Sequence, residues 1–167
     1  MKTYLTKEGY NKLCEKQKIE LKNLENIRQE KSIAWSSDGD GIHDNPIYHT
    51  FKDREAAQLV NIQKIAQLLS KAVIVDCETR NINEVSICSI IECEIINLKN
   101  QFKKHMLIEI VGFGESDIKN NKISYDSPIG KSLMGLKKDD TIVVNLPIGD
   151  MSYKVIKFYD NWSETKK

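Results

Sequence analysis

The sequence predicts an α+β protein: an N-terminal antiparallel coiled-coil hairpin, then a small, mostly antiparallel β domain with one short helix. Three observations predict it. Apolar residues recur at three- and four-residue steps along two long stretches. A short acidic segment bearing two glycines separates those stretches. After Asp76 the helical period gives way to β-branched runs.

The first helix is expected from Lys7 to about Trp35, with Thr6 as its N-cap. That stretch holds no proline, and Gly9 is its only glycine. Tyr10, Leu13, Cys14, Gln17, Leu21, Leu24 and Ile27 form its stripe, on a helix on the order of 40 Å long. Asn45 suits the N-cap of the second helix and Pro46 its first position, where the missing N–H costs nothing. Leu59, Ile62, Ile65, Ala66, Leu69 and Val73 continue that helix to about Ala72. Each stripe is too narrow for a globular core, so the two helices must bury one another's seam.

Strands are expected over residues 85–96, 106–112, 141–146 and 153–158. Pro147-Ile148-Gly149-Asp150 turns the last two into a hairpin, and Ser127-Pro128-Ile129-Gly130 opens a short helix. The expected domains are residues 1–76, with the tip loop at 36–46, and residues 80–160, followed by a tail at 161–167.

At 167 residues, 40% hydrophobic and 29% charged, the composition is that of a folded chain rather than a disordered one. A net charge of +1 excludes a surface built for bulk nucleic-acid binding. No apolar run approaches the ~18 residues of a membrane helix, and the start lacks an apolar leader, so the expected location is cytoplasmic. The cysteines, Cys14, Cys77, Cys88 and Cys93, show neither C-x-x-C nor zinc spacing to a histidine. They read as reduced, mostly buried thiols. The lysines of the first helix read as a solvated face.

The tip loop carries the chemistry. Asp38, Asp40 and Asp44 lie in a stretch with no Lys or Arg between Lys31 and Lys52. Carboxylates of this kind are candidate ligands for a divalent cation. A hairpin tip has no walls to enclose a substrate, which argues against a free-standing metal hydrolase. The pocket then belongs to another macromolecule, and this chain reaches into it. A calcium-loop reading fails because Ile42 and His49 occupy its fifth and twelfth positions. His43 reads as a solvent-facing loop residue. Trp35 and Phe51 read as a staple for the tip.

The run Phe113-Gly114-Glu115-Ser116-Asp117-Ile118-Lys119-Asn120-Asn121-Lys122-Ile123-Ser124, leading into Ser127-Pro128-Ile129-Gly130-Lys131 and Lys138-Asp139-Asp140, resembles the C-terminal domain of the GreA/GreB family. The start Thr6-Lys7-Glu8-Gly9 is similar to that family's Thr-x-x-Gly. The resemblance implies a coiled coil joined to a domain similar to FK506-binding proteins. It implies RNA polymerase as partner, with the C-terminal domain docking at the rim of the secondary channel. The coiled coil would reach the 3′ end of backtracked nascent RNA, where acidic tip residues help hold a Mg²⁺ shared with the polymerase. On this view the chain is a monomeric cofactor, not an enzyme, with no cofactor of its own and no membrane partner.

Carried over residue by residue, Asp40 and Asp44 are the counterparts of the catalytic acids, with Asp38 as a further ligand. Asn45 and Tyr48 match the tip, and Ser127, Pro128 and Gly130 match the C-terminal motif as structural or docking residues. The tip departs from the family. One extra residue separates Asp40 from Asp44, Asp44 stands where the family has Glu, and Ile47 replaces a second Glu. A stimulator of cleavage and an anti-cleavage inhibitor using the same channel therefore both remain open. A peptide-binding module is a third reading.

Overall fold

In the computed structural model, residues 2–36, 45–147 and 149–164 are described. Strand β1 (Thr3–Thr6) runs into α1 (Lys7–Ser36). Helix α2 (Pro46–Ser70) is followed by β2 (Ala72–Val75), and β1 and β2 form a two-stranded sheet. Then come β3 (Ile90–Asn97), β4 (Lys103–Val111), β5 (Lys122–Ser124), α3 (Pro128–Leu133), β6 (Thr141–Leu146) and β7 (Gly149–Tyr159). The expected α+β architecture of a helical hairpin and a small sheet domain is present. The chain divides into two compact units, Met1–Thr3 with Tyr10–Ala72 and Tyr4–Gly9 with Val73–Lys167.

In the first unit, the less exposed positions of α1 are Tyr10, Leu13, Gln17, Glu20, Leu24, Ile27, Lys31 and Ala34, with Cys14 beside them. Those of α2 are Tyr48, Phe51, Glu55, Gln58, Ile62, Ile65 and Leu69, with Leu68 beside them. Both series step by three and four in alternation, which is the heptad seam of a coiled coil. The seam is shifted by one residue from the expected stripe at two places. Leu21 and Leu59 face solvent, and Glu20 and Gln58 take the seam. Pairing explains the shift: Gln58 Nε2 donates to the Glu20 carbonyl at 2.8 Å and to its carboxylate at 2.6 Å. A polar pair satisfied across a seam fixes register, which an apolar pair cannot do alone.

The second unit is built on a five-stranded sheet of order β5-β4-β3-β7-β6. Neighbours are antiparallel except β5, which runs parallel to β4. Central β3 alternates as a half-buried strand should. Ile91, Cys93 and Ile95 enter the core with Ile108, Ile110, Leu133 and Val155, while Glu92 and Glu94 point away from it. Each large side chain buried this way contributes about 1.5–3 kcal/mol. Residues 85–89, expected to be strand, form a tight turn instead. Ser89 donates its N–H to the Ser86 carbonyl at 3.0 Å, and Cys88 sits at φ 71°. The expectation of four reduced thiols is also corrected, because Cys77 and Cys88 are joined in a disulfide. Their partnership is spatial and leaves no mark in spacing. Cys93 is buried in the core, and burial pushes its thiol up to about 12.

On the outer face of β3, Glu92 accepts from the Tyr159 hydroxyl at 2.9 Å and lies 3.2 Å from His105 Nδ1. The His105 bond, then the Tyr159 bond, hold the Glu92 carboxyl below its usual range. A depressed folded value means stability that is complete above the unfolded carboxylate value and is lost as pH falls through the folded one. The E92Q variant is therefore expected to be less stable than the parent at pH 6, with the difference shrinking as pH drops below about 4. Parallel thermal melts across that range measure it; a constant difference would contradict the assignment.

Candidate functional site at the turn of the hairpin

The site begins where α1 ends. Asn45 is buried and caps α2: its Oδ1 accepts from the Ile47 and Tyr48 N–H groups at 2.9 and 3.1 Å. The same side chain donates through Nδ2 to the Ala34 carbonyl of α1 at 3.1 Å. One amide thus closes the start of one helix and the last turn of the other. An amide can do both, since it carries acceptor and donor on one planar group. Tyr48 stacks on Trp35 with ring centroids 5.1 Å apart and planes tilted by 54°. Trp35 therefore staples the tip as expected. Phe51 instead has the Arg54 guanidinium 5.5 Å over its ring.

Asp38, Asp40, Asp44 and His43 lie outside the described residues. The two ends of their segment are described. Ser36 bonds back to the Ile33 carbonyl at 3.0 Å, and Asn45 is fixed as above. Ile47, where the family pattern has an acid, is 61% exposed in the first turn of α2. Further along the hairpin, Glu55 accepts from Arg28 at 2.7 Å and from Lys31. The Lys31 ammonium, then the Arg28 guanidinium, hold the Glu55 carboxyl below its usual range. Part of the basic face expected on α1 is thus committed to a cross-helix ion pair. The nearest cation before the acidic segment, Lys31, is among its members. Sequence reasoning missed this cluster; an acid opposite a basic helix was the available signal. Among the described residues no group of three or more His, Cys, Asp or Glu side chains is arranged to hold a metal ion. For the tip, the donor chemistry itself is the test. Carboxylate oxygens are hard ligands of the kind Mg²⁺ takes, and it needs only one or two of them.

The C-terminal motif residues have packing duties. Ser127 caps α3, its Oγ accepting from Gly130 N–H at 3.0 Å, and Pro128 occupies the first turn. A Cβ on Gly130 would stand 2.1 Å from the Ser124 carbonyl oxygen, so no side chain fits. The motif's Glu115, which sequence reading did not single out, accepts from Thr6 N–H at 2.9 Å and Thr6 Oγ1 at 2.6 Å. Thr6 Oγ1 in turn accepts from Gly9 N–H at 3.0 Å, and a Cβ on Gly9 would collide with that carboxylate. The Thr-x-x-Gly start and the Glu of the motif are two halves of one lock.

A family model described as "Transcription elongation factor, GreA/GreB, C-term" matches residues 80–160. The chain is 34% identical over 151 residues to transcription elongation factor GreA of Helicobacter pylori (strain Shi470), covering 90% of this chain and 89% of that one. It is 29% identical over 158 residues to GreA of Christiangramia forsetii, covering 94% and 96%. Among solved structures, GreA factor homolog 1 (Gfh1) of Thermus thermophilus is similar at a TM-score of 0.43 and 23% identity, covering 95% of this chain and 99% of that one.

The N45A variant is expected to lose about 1 kcal/mol from the cap and about 1 kcal/mol more from the hydrogen bond to the Ala34 carbonyl. N45D keeps the cap but sets an oxygen against that carbonyl, so it should fall between parent and N45A. Denaturant melts followed by helical circular dichroism rank the three.

Proposed function

Because the chain belongs to the GreA/GreB family of transcription elongation factors, we propose that it enters the secondary channel of RNA polymerase with its hairpin leading and stimulates cleavage of backtracked RNA. In this reading it acts as a cofactor of the polymerase's own nuclease activity, inside the cell, without a catalytic centre of its own. The observation that carries the reading is the tip. An acidic segment, residues 37–44, lies in the sequence between Ser36, the last residue of α1, and Asn45, whose single side chain bonds both helices.

Asp40 and Asp44 are the proposed ligands of the second Mg²⁺ of the polymerase centre, with Asp38 available as a third. Bound there, the ion would lower the pKa of a water and neutralise charge on the phosphate. This chain's part is delivery and orientation. Asn45 fixes the exit of the loop, and Tyr48 packed on Trp35 stiffens the turn behind it. Glu55 keeps Lys31 engaged, so that ammonium is not free to neutralise the acids before they reach the metal. Ser127, Pro128 and Gly130 shape the sheet domain, whose docking at the channel rim is part of the proposal.

A second reading is inhibition in the same channel. It is favoured by Ile47, an exposed apolar side chain where the family pattern has an acid, and by the extra residue between Asp40 and Asp44. Displacing a carboxylate by one residue moves its oxygens by up to about 3 Å.

A cleavage assay on stalled elongation complexes with Mg²⁺ tests both readings. Stimulated release of short RNA supports the first, and suppressed intrinsic cleavage supports the second. Under the first, D40A and D44A are each expected to lower the stimulated rate by on the order of 100-fold while polymerase binding persists. Binding without any change in RNA release, or no binding, would sink the proposal.

A further inference from the structure

Beyond the hairpin tip, one pair of reactive groups is left without a role. Cys77 and Cys88 are bonded with their Cα atoms 5.4 Å apart, inside the usual disulfide range. Cys77 stands two residues after β2 and is partly exposed, whereas Cys88 is 5% exposed. The backbone of Cys88 is independently fixed: its N–H donates to the Ile110 carbonyl of β4 at 2.7 Å. Val85 is likewise fixed, donating to the Leu136 carbonyl at 2.7 Å. Between the two cysteines, residues 78–84 enter no helix or strand. Glu78 N–H turns back to Asp76 at 3.0 Å and Asn83 N–H to Asn81 at 2.9 Å. Thr79 Oγ1 donates to the Asp76 carbonyl at 3.3 Å, and Arg80 donates to the carbonyls of Cys77, Tyr159 and Asp160. The stretch also lines an open cavity of about 440 Å³, Thr79, Arg80 and Asn81 together with Tyr4, Tyr125 and Met134.

We propose that Cys77 and Cys88 are a reversible redox pair whose bond orders residues 78–84 and with them that cavity wall. Closure starts when the partly exposed Cys77 thiolate attacks a low-molecular-weight disulfide such as oxidised glutathione. A mixed disulfide forms on Cys77 and one small thiolate leaves. The Cys88 thiolate then attacks Cys77 Sγ and expels the second small thiolate. Both protein thiols lose a proton, and two electrons pass to the small disulfide. Opening is the reverse, with a small thiolate attacking Cys77 and Cys88 leaving. The two states differ locally. Cys88 and Val85 keep their bonds to β4 and Leu136, so the sheet stays folded while the preceding ring slackens. Cys93, in the core, is out of reach of such reagents, and Cys14 lies on α1, remote in sequence from the ring.

The full chain is equilibrated with graded ratios of reduced to oxidised glutathione, quenched with acid, alkylated, and mapped by mass spectrometry. Cys77 and Cys88 should pass together from alkylated to bonded while Cys14 stays alkylated. Amide hydrogen exchange on the same samples should be on the order of tenfold faster over residues 78–84 in the open state, with β3 and β4 unchanged. The C77S variant should show the fast pattern at every ratio. The proposal is overturned if the pair never closes, if Cys14 pairs instead, if closure leaves exchange unaltered, or if C77S retains slow exchange. No polymerase enters the test, so its outcome is independent of the cleavage assay.

Discussion

Two helices of this length and polarity cannot hold their shape separately in water, because most helical stability in proteins comes from packing rather than propensity. Everything at the turn of the hairpin therefore depends on the seam. That seam is not uniformly apolar. Leu24, Ala34 and Ile65 are buried in it, but Gln58 with Glu20, and Glu55 with Lys31, occupy it as well, while Arg28 reaches Glu55 from the exposed edge. The apolar residues supply the favourable burial, and the polar ones decide which residue faces which. At the end of the seam Asn45 does both tasks in one side chain, starting α2 and holding the last turn of α1.

In the sheet domain the motif that marks the family is largely a set of close approaches. Gly130 lies against Ser124, Gly112 lies against Leu5 and Thr6, and Gly9 lies against the carboxylate of Glu115. Each is a place where a Cβ would collide. Thr6 sits among them, capping α1 with its hydroxyl oxygen while donating to Glu115. The sequence conveys such residues as a pattern of letters. The structure supplies the reason, which is backbone proximity.

Much of this was legible beforehand, and the misses have physical causes. The helices, their caps at Thr6 and Asn45 and the main strands follow from period and capping chemistry. The phase of the seam did not follow, because a hydrophobic stripe scores Leu21 above Glu20 and Leu59 above Gln58. Those pairs are decided by a partner 38 residues away. The strands β1, β2 and β5, at four, four and three residues, are too short to display an alternation. The turn at residues 85–89 is rich in residues that favour strands, yet Cys88 is drawn to positive φ and its N–H is claimed by β4. The tip acids were legible as charge, whereas the amide that joins the two helices was legible only as a cap.

The mixed character of the seam has a bearing on the company this protein keeps. A stray amphipathic segment lying along α1 in place of α2 would strand Arg28 and Lys31 without their shared carboxylate and leave Glu20 facing hydrocarbon. Such a mismatch subtracts from whatever the apolar contacts of that segment could return. The hairpin is in this way selective for itself, and a cell full of sticky helices offers it few substitutes.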